Sequence, residues 1–351
     1  MHFAFTDQQI EFRDAVRQVL LNECSTDDLR ASFAAPAART PRWETLATLG
    51  VVGASVPEAH GGLGLGLVDL VPLLEEAGRV ALPEPLLDTT ALAVPLLAEL
   101  TAADRATTAP VSDWLESIAA GGMAVAVGPP APGPTPVAGA DGADLYVLAA
   151  AGGPDGPEIH VLEPDSVTVT PVPSLDPTRR LAAVQWAPGQ ESRVASGPLA
   201  ASLVGRTADR AAVATGAELL GLSQRMITLA ADHAQERHQF GRPIGSFQAV
   251  KHLLAGAQVT LEFARPAVYG AAWSLDEGEP TASRAASVAK AYASDAATEA
   301  ARVSLQVHGA IGYTWECDLH LFLKRAWALS AAWGSAAEHR ARVLASLVAE
   351  A

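Results

Sequence analysis

Cysteine is nearly absent from this sequence, which holds only Cys24 and Cys317 among its 351 residues. Two cysteines so far apart fit neither a disulfide framework nor a metal or redox motif, so we expect reduced, packed thiols. Long apolar runs are also missing, which excludes a transmembrane helix of about 18 residues or more. The first residues, MHFAFTDQQIEFRDAV, lack the order of a signal peptide. We therefore expect a cytoplasmic protein.

Positive charge is scarce as well. The chain has 24 lysine and arginine residues against 39 aspartate and glutamate residues, which gives a formal net charge of −15. That balance argues against a nucleic-acid partner, and no membrane partner is expected either. Three histidines, His252, His308 and His320, are too scattered to ligate a metal ion together. No metal site is predicted.

The apolar pattern predicts a mainly α protein with a small β domain at its centre. Residues 1–118 show helical spacing from a Thr6–Gln9 capping box onward. Residues 119–200 are rich in proline and glycine, and 201–351 return to long helical patterns that fit a four-helix bundle. The β-like runs are MAVAV, LYVLAA, EIHVLE, VTVTPV and AAVQW. The bundle helices are predicted at about 205–236, 246–277, 282–309 and 318–349.

The glycine-rich segment GGLGLGL, residues 61–67, invites comparison with a dinucleotide-binding motif. That motif needs a preceding strand, a following helix and an acidic residue about 20 positions on. Here the flanking patterns are helical and no βαβ unit follows. We interpret the segment as a tight loop between helices, where small residues are needed.

The stretch RHQFGRPIGSFQAVKH, residues 237–252, has the character of a binding-site wall. Arg237 is predicted at the end of a long helix, with a Gly-x-Pro turn after it and Ser246 as N-cap of the next helix. Arginine suits a pyrophosphate, Gln239 offers an amide donor, and Phe240 offers a flat apolar face. A capped interhelical turn with a solvated arginine is the alternative that the stretch alone leaves open.

A second stretch, LQVHGAIGYTWECDLHLFLKRA at residues 305–326, ends one helix at a glycine-bearing turn. Another helix is predicted to start near Asp318. Gln306 and Gly309 would place an amide and a bare backbone near the same kind of ligand.

Together these stretches resemble the C-terminal bundle of the acyl-CoA dehydrogenase family, and PEAHGGLGLGLVDL resembles that family's N-terminal loop. The order of helical domain, β domain and four-helix bundle is similar too. The resemblance implies FAD as cofactor and α,β-dehydrogenation of an acyl-CoA thioester. In that reaction a partly desolvated carboxylate with a raised pKa takes the α-proton, and the flavin takes the β-hydride.

In this family the bundle of one subunit reaches over the FAD pyrophosphate and adenosine held by its neighbour. The resemblance therefore implies a set of cofactor-binding residues, with Ala310 where glycine is usual and Ser335 in the last interhelical loop. The set is Arg237, Gln239, Phe240, Ile244, Phe247, Gln248, Gln306, Gly309, Ala310 and Ser335.

The other half of the family's flavin site departs from the pattern. The first part of the middle domain, MAVAVGPPAPGPTPVAGADGADLYVLAA, lacks the Thr-Glu-Pro-like run that faces the flavin ring in this family. The only tryptophan of the whole predicted domain, Trp186, comes too late in the order. In the last loop, SAAWGSAAEHR, Trp333 stands where the family's catalytic glutamate usually lies. The resemblance thus implies that this chain cannot hold the flavin ring alone.

No carboxylate matches the family's second position for the base either. That position, on the first bundle helix, is Ala211 here, and Asp209 is turned roughly 200° away on a helix. Glu316 and Glu338 fall in solvated or capping contexts. We predict no catalytic residue in this chain, with Asp209 as the fallback candidate.

The chain therefore resembles the degenerate subunit of the heteromeric acyl-CoA dehydrogenases of actinobacteria, and SLDPTRRLAAV at 174–184 is similar to that type. This implies a homologous catalytic partner in an α2β2 complex. The partner would bind most of the acyl-CoA, and the resemblance suggests a steroid side-chain ester as the acyl group. Electron-transfer flavoprotein or another acceptor would take the electrons. Two alternatives stay open: a self-sufficient homo-oligomeric enzyme using Asp209, and a non-enzymatic scaffold of the same fold.

Overall fold

In chain order, helices precede and follow a group of short strands in the computed structural model, which describes residues 4–35, 40–102, 110–128, 135–151 and 156–350. The predicted mainly α fold with a small β domain is confirmed. The helices are Asp7–Glu23 (α1), Thr26–Ala34 (α2), Pro41–Thr48 (α3), Leu67–Arg79 (α4), Val94–Ala102 (α5), Val111–Ala119 (α6), Gly197–Glu236 (α7), Gln248–Asp276 (α8), Ala282–His308 (α9), Leu319–Ala331 (α10) and Ala336–Glu350 (α11). Across the described ranges, no helix has both the length and the apolarity needed to cross a bilayer.

Within the residues that the structure describes, the strands form one four-stranded sheet and two short pairs. Each of the five predicted β-like runs contains a strand, whereas the last strand of the large sheet and a two-residue pair after α7 were not predicted. The strands are Val125–Val127 (β1), Leu145–Ala150 (β2), Glu158–Leu162 (β3), Thr168–Pro171 (β4), Ala182–Gln185 (β5), Arg193–Ser196 (β6), His238–Gln239 (β7) and Arg242–Pro243 (β8). The sheet order is β1-β2-β3-β6, with β1 and β2 parallel and the other pairs antiparallel.

The chain divides into two compact units. The bundle unit comprises Met1–Arg30, Val71–Leu82 and Ala212–Ala351, and the sheet unit comprises Ala31–Leu70 and Pro83–Ala211. These units interleave along the sequence. The three consecutive domains 1–118, 119–200 and 201–351 stay a prediction.

Local signals set several helix ends as predicted. Thr6 and Gln9 form the capping box at the start of α1, with the Thr6 N–H donating to Gln9 Oε1 at 2.8 Å. The GGLGLGL segment runs directly into α4, with Gly61 and Gly64 at positive φ (81° and 63°). Both conformations favour glycine, which agrees with a tight interhelical loop.

Glycines allow α4 and α7 to cross closely within the bundle unit. A Cβ at Gly78 would lie 2.1 Å from the Glu218 carbonyl oxygen, and one at Gly221 would lie 1.9 Å from that of Glu75. A Cβ cannot lie that close to a backbone oxygen. Any residue other than glycine at these two positions would therefore push α4 and α7 apart. The next helices continue the bundle, with α9 packed against α8, α10 and α11.

The prediction of a single helix over 318–349 is wrong, because the chain breaks between α10 and α11. Trp333 and Gly334 have positive φ values of 55° and 101°, which no α-helix accommodates. The interruption separates Leu319–Ala331 from Ala336–Glu350. The fourth element of the predicted bundle is therefore two helices joined by a tight turn.

Candidate functional site

A two-residue β-hairpin follows α7 and forms the centre of the predicted binding wall. Strands β7 and β8 pair antiparallel, with Gln239 opposite Arg242. The turn residues Phe240 and Gly241 both have positive φ (54° and 79°), as a type I′ turn requires. The Ile244 N–H donates to the Arg237 carbonyl at 2.8 Å and closes the hairpin. The wall is thus a fixed corner rather than a loose loop.

The tip of the hairpin holds an aromatic side chain out into solvent. Phe240 is 92% exposed, and its left-handed backbone is unfavourable for a bulky residue by about 1–2 kcal/mol. Its ring meets the edge of Phe247 at a centroid distance of 6.1 Å, and the Arg242 guanidinium lies 4.1 Å from the Phe247 ring centre. Strain and exposure at one residue are typical of a functional surface.

The polar residues of the hairpin differ in how far they are engaged. Arg237 is exposed, and among the described residues it makes no ion pair. The Gln239 amide donates to the His238 carbonyl at 2.8 Å. Gln248 is exposed as the first residue of α8. Arg237 and Arg242 are two guanidinium groups that this wall exposes, and Arg242 lies over the Phe247 ring.

The remaining predicted wall residues are Ile244 and Phe247, both half-buried behind the hairpin. The prediction that Ser246 caps the next helix is wrong. Phe247 occupies the N-cap position of α8, and the Ser246 hydroxyl donates to the Pro243 carbonyl at 2.7 Å. A three-residue 3-10 turn, Ile244–Ser246, separates the hairpin from α8 and uses the serine locally.

The C-terminal end of α9 carries the second predicted group. Gln306 is exposed on the last turn, and Gly309 caps the helix with φ 64° and ψ −139°, a conformation open mainly to glycine. A Cβ at Gly309 would meet nothing within 4 Å, so the adjoining space is open. Ala310 follows, exposed, in a short 3-10 turn. A ligand could approach this backbone closely.

Two stacked histidines bring the hairpin and the end of α9 together. The rings of His233, on the last turn of α7, and His308, at the end of α9, lie 4.5 Å apart with an angle of 15° between their planes. His308 Nδ1 carries its proton, because it donates to the Ser304 carbonyl at 2.8 Å. The stack places Arg237, four residues after His233, on the same end of the bundle as Gln306 and Gly309.

Protonation of His233 at acid pH is expected to destabilise the end of the bundle where the two histidines stack. Burial, and then the His308 imidazole and the Arg237 guanidinium, hold the pKa of His233 below its ordinary value of 6.5, while Glu236 acts in the opposite direction. A histidine with a lowered pKa destabilises the fold as pH falls from about 6.5 through its folded-state value. An NMR titration should therefore give a midpoint below 6.5 for His233, rising towards 6.5 in a His308→Ala variant. A midpoint above 6.5 would show that the stack does not disfavour the charged ring.

Ser335, the last predicted cofactor contact, is used within its own loop. Its hydroxyl and backbone N–H both donate to Glu338 Oε2, at 2.8 and 2.7 Å, and form the capping box of α11. Just before it, the His339 Nε2–H donates to the Trp333 carbonyl at 3.0 Å. A Cβ at Gly334 would lie 2.9 Å from His339 Nε2. Among these interactions nothing leads from Ser335 to the hairpin.

A buried lysine holds the same loop from beneath. Lys290 on α9 is fully buried, and its ammonium group donates to the carbonyls of Leu329, Ser330 and Gly334 at 3.0, 3.1 and 3.2 Å. The Ser294 hydroxyl lies 3.3 Å from the same nitrogen. The positive charge of the ammonium group also interacts favourably with the negative, C-terminal end of the α10 helix dipole. Lys290 thus fixes the turn that contains Trp333.

The three acidic residues considered as bases lie in settings that differ from a catalytic one. Hydrogen bonds from the Ser335 backbone N–H and hydroxyl lower the pKa of Glu338, whereas an α-proton acceptor needs a raised pKa. Glu316 is exposed, and its carbonyl accepts a hydrogen bond from Arg30. Asp209 is buried on the part of α7 that belongs to the sheet unit.

A small apolar cavity lies in the sheet unit beside the first part of α7, and Asp209 is not among the residues that line it. It is bounded by α5, α7 and the strands of the large sheet, and its space amounts to about 20 Å³. Thr207, two residues before Asp209, lines it. Ligand pockets for small molecules usually have a volume of several hundred Å³. This cavity has room for about one water molecule and none for an acyl chain.

Sequence reasoning missed the residues that hold the site in place. His308 was interpreted as a scattered histidine, and His233, His339 and Lys290 were not singled out. Lys290 offered one signal, because it is one of only three lysines and stands alone in an alanine-rich helix. The histidine stack offered none, since its members are 75 positions apart.

Models of protein families match both ends of the chain. The C-terminal domain of acyl-CoA dehydrogenase matches residues 202–348, and the N-terminal domain matches residues 6–122.

Individual relatives agree with those matches. Acyl-CoA dehydrogenase IpdE2 of Mycobacterium tuberculosis is 37% identical over 278 residues, which cover 79% of this chain and 77% of that protein. The IpdE2 of Mycolicibacterium smegmatis is 32% identical over 316 residues, 90% of each chain. Among solved structures, a Tcur3481–Tcur3483 steroid ACAD variant has 28% identity and a TM-score of 0.83 over 98% of both chains.

Proposed function

Because the chain belongs to the acyl-CoA dehydrogenase family, we propose that it is one subunit of a heteromeric, FAD-dependent acyl-CoA dehydrogenase. In this proposal a homologous catalytic subunit holds the flavin ring and provides the base. This chain contributes contacts to the pyrophosphate and adenosine, in an α2β2 complex with two flavins. The observation that carries the proposal is the rigid hairpin that directs Arg237 and Phe240 outward, away from the rest of the chain.

The outward residues fit the phosphate and adenosine part of FAD. Arg237 has an exposed guanidinium at a helix end, and a planar fork of N–H donors matches phosphate oxygens. Phe240 offers an exposed flat ring, and Gly309 offers backbone without a side chain beside open space. Gln306 and Gln248 are exposed amides at the two helix ends. Their chemistry binds and orients a dinucleotide, and it moves no proton.

When bound, FAD supplies the acceptor for the substrate hydride. The chain's own residues hold the cofactor's anionic part and exclude water from it. The lowered pKa of Glu338 supports a base that belongs to the partner. Electron-transfer flavoprotein or another acceptor would then reoxidise the complex.

The proposed substrate class is a bulky acyl-CoA thioester, such as a steroid side-chain ester. Support comes from the similarity to the solved Tcur3481–Tcur3483 steroid ACAD variant. The thioester would be bound mainly by the partner. Ser335 and Ala310 stay predicted cofactor contacts of lesser weight, because Ser335 is committed to the capping box of α11.

Co-expression tests the proposal directly. The chain would be purified alone and together with the homologous acyl-CoA dehydrogenase encoded beside it. We expect bound flavin absorbance, and its bleaching by an acyl-CoA, only in the co-purified complex. A yellow, active preparation of the chain alone would instead support a self-sufficient enzyme. A colourless but stable complex would support a scaffold without flavin.

A further inference from the structure

Three side chains of the sheet unit, Glu158, His160 and Ser192, form a continuous row of hydrogen bonds. His160 Nδ1 lies 3.0 Å from Ser192 Oγ, and His160 Nε2 lies 3.2 Å from Glu158 Oε2. Glu158 and His160 are two residues apart on β3, and Ser192 directly precedes β6, which pairs with β3. A carboxylate, an imidazole and a hydroxyl in this order are the groups that activate a serine in acyl-transfer enzymes.

The imidazole of His160 is held in one orientation. The residue is fully buried, and its ring packs against the Trp186 ring at a centroid distance of 4.8 Å. The register of β3 and β6 shifts between Ile159 and His160. Bulges of this kind often lie beside active sites, where they redirect a side chain.

The hydrogen bonds also determine which ring nitrogen carries the proton. Arg193 donates to Glu158 Oε1 at 2.7 Å and lowers the pKa of Glu158, so this carboxylate only accepts, and His160 Nε2–H donates to it. Burial holds the pKa of His160 below 6.5, although Glu158 acts in the opposite direction. The neutral ring therefore leaves Nδ1 to accept from the Ser192 hydroxyl, with the Gly189 carbonyl, at 3.2 Å, as the longer alternative.

Ser192 also lines an open cavity of about 630 Å³ between α6 and the ends of β3 and β6. The cavity has an apolar wall that includes Trp114, Val161 and Val194, all of them buried. A volume of several hundred Å³ suits a small organic ligand. Neither His160 nor Glu158 lines the cavity, so a ligand there meets the hydroxyl with its base behind it.

Backbone donors lie in the loop that leads to the hydroxyl. The N–H groups of Gly189, Gln190 and Glu191 donate to no protein group within the described ranges, and all three residues line the cavity. A Cβ at Gly189 would meet nothing within 4 Å, so the loop is open to a ligand. Unpaired N–H groups of this kind can stabilise the negative oxygen of a tetrahedral intermediate.

We propose that Ser192 is the nucleophile of a second active site, which hydrolyses uncharged carboxylic esters. His160 Nδ1 takes the hydroxyl proton as Ser192 Oγ bonds to the ester carbonyl carbon, and it returns the proton to the alcohol oxygen as the ester C–O bond breaks. Water then attacks the acyl-serine, His160 takes a proton from it, and Ser192 regains that proton as the carboxylic acid leaves. The sequence needs neither an oxidant nor a cofactor.

Carboxylates in the cavity lining indicate the charge of the substrate. Glu163 and Glu191 are both exposed there, and their negative charge disfavours the phosphates of a CoA ester. An uncharged ester avoids that repulsion, and its acyl group can contact the apolar wall. The proposal is independent of whether the chain contributes to a flavin site.

Covalent labelling of the full chain, purified alone, tests the nucleophile. After treatment with a fluorophosphonate probe, peptide mass mapping should place the label on Ser192. Ser166 is the matched control, because it is an exposed serine that lines the same cavity, and its hydroxyl contacts no histidine in the described part of the chain. We expect Ser192 to react at least about tenfold faster than Ser166, since only Ser192 has a base.

Variants of the row and a turnover assay then test the mechanism. His160→Gln should slow labelling of Ser192 by about a hundredfold, and Glu158→Gln, at a half-buried position, by about tenfold, with circular dichroism confirming the fold. Hydrolysis of p-nitrophenyl acetate should proceed through many turnovers and be lost in Ser192→Ala. Equal labelling of the two serines, labelling unchanged in a folded His160→Gln variant, absent turnover, or turnover that survives Ser192→Ala would each overturn the proposal.

Discussion

An Arg237→Ala variant of the assembled complex is expected to bind FAD about ten- to a hundredfold more weakly than the native complex. Hydrogen bonds between a guanidinium and phosphate oxygens are charge-assisted, and alanine replaces them with nothing. The hairpin should persist, because its closing bond joins the backbones of Arg237 and Ile244. Flavin retained per complex after extensive dialysis, followed by a binding titration with FAD, measures the effect.

Arg302→Ala is the matched control for that experiment. Arg302 is also an exposed arginine, four residues before Gln306 on α9, and it pairs with Glu299 at 2.6 Å. Its loss should leave the affinity for FAD within about twofold of native, since surface ion pairs contribute little. Equal retention by the Arg237 variant and the native complex would refute the phosphate role of Arg237. Equal loss in both variants would indicate a general charge effect instead.

Replacing Lys290 by methionine is expected to lower the free energy of unfolding by about 3 kcal/mol. Methionine fills a similar volume but donates no hydrogen bond, so the carbonyls of Ser330 and Gly334 lose this donor, while the Leu329 carbonyl keeps the Ala332 N–H at 3.2 Å. Buried acceptors left unpaired cost more than the burial of the lost charge returns. The midpoint of urea denaturation should fall, with an unchanged slope.

Lys324→Met is the corresponding control on α10. Lys324 is half-buried, and its ammonium group lies 3.9 Å from the ring centre of Trp315. Losing that contact should change the free energy of unfolding by less than about 1 kcal/mol. If the two variants have equal midpoints, the carbonyl contacts of Lys290 contribute no specific stability.

Much of the fold follows from local signals, and the exceptions have tertiary causes. The capping box at Thr6 and the helical run of α4 depend on neighbours in sequence, so the pattern alone predicts them. The break at Trp333 lies in an alanine-rich run without proline, which favours a continuous helix. Gly334 and the Ser335–Glu338 capping box are local signals of a new helix at this point, and the contacts of Lys290 and His339 with the loop, visible only after folding, hold the interruption in place.

The candidate site divides in the same way. The hairpin is continuous in sequence, so its residues could be grouped from the motif, and Gly309 could be placed at a helix end. The stack of His233 on His308 joins two helices that the sequence separates, and no periodicity marks it. Strand β6 was missed because it is only four residues long, RVAS, with one β-branched member, although Pro188-Gly189 and Gly197-Pro198 flank it as turn signals.

Because the ammonium group of Lys290 is buried, reagents that label lysine amines cannot reach it in the folded chain. The chain has three lysines, so an acylating reagent or cross-linker can modify only Lys251, Lys324 and the α-amino group while the fold is intact. Any modification at Lys290 therefore reports on opening of the α10–α11 turn rather than on surface reactivity. A peptide map after brief labelling becomes a direct readout of how often that turn opens.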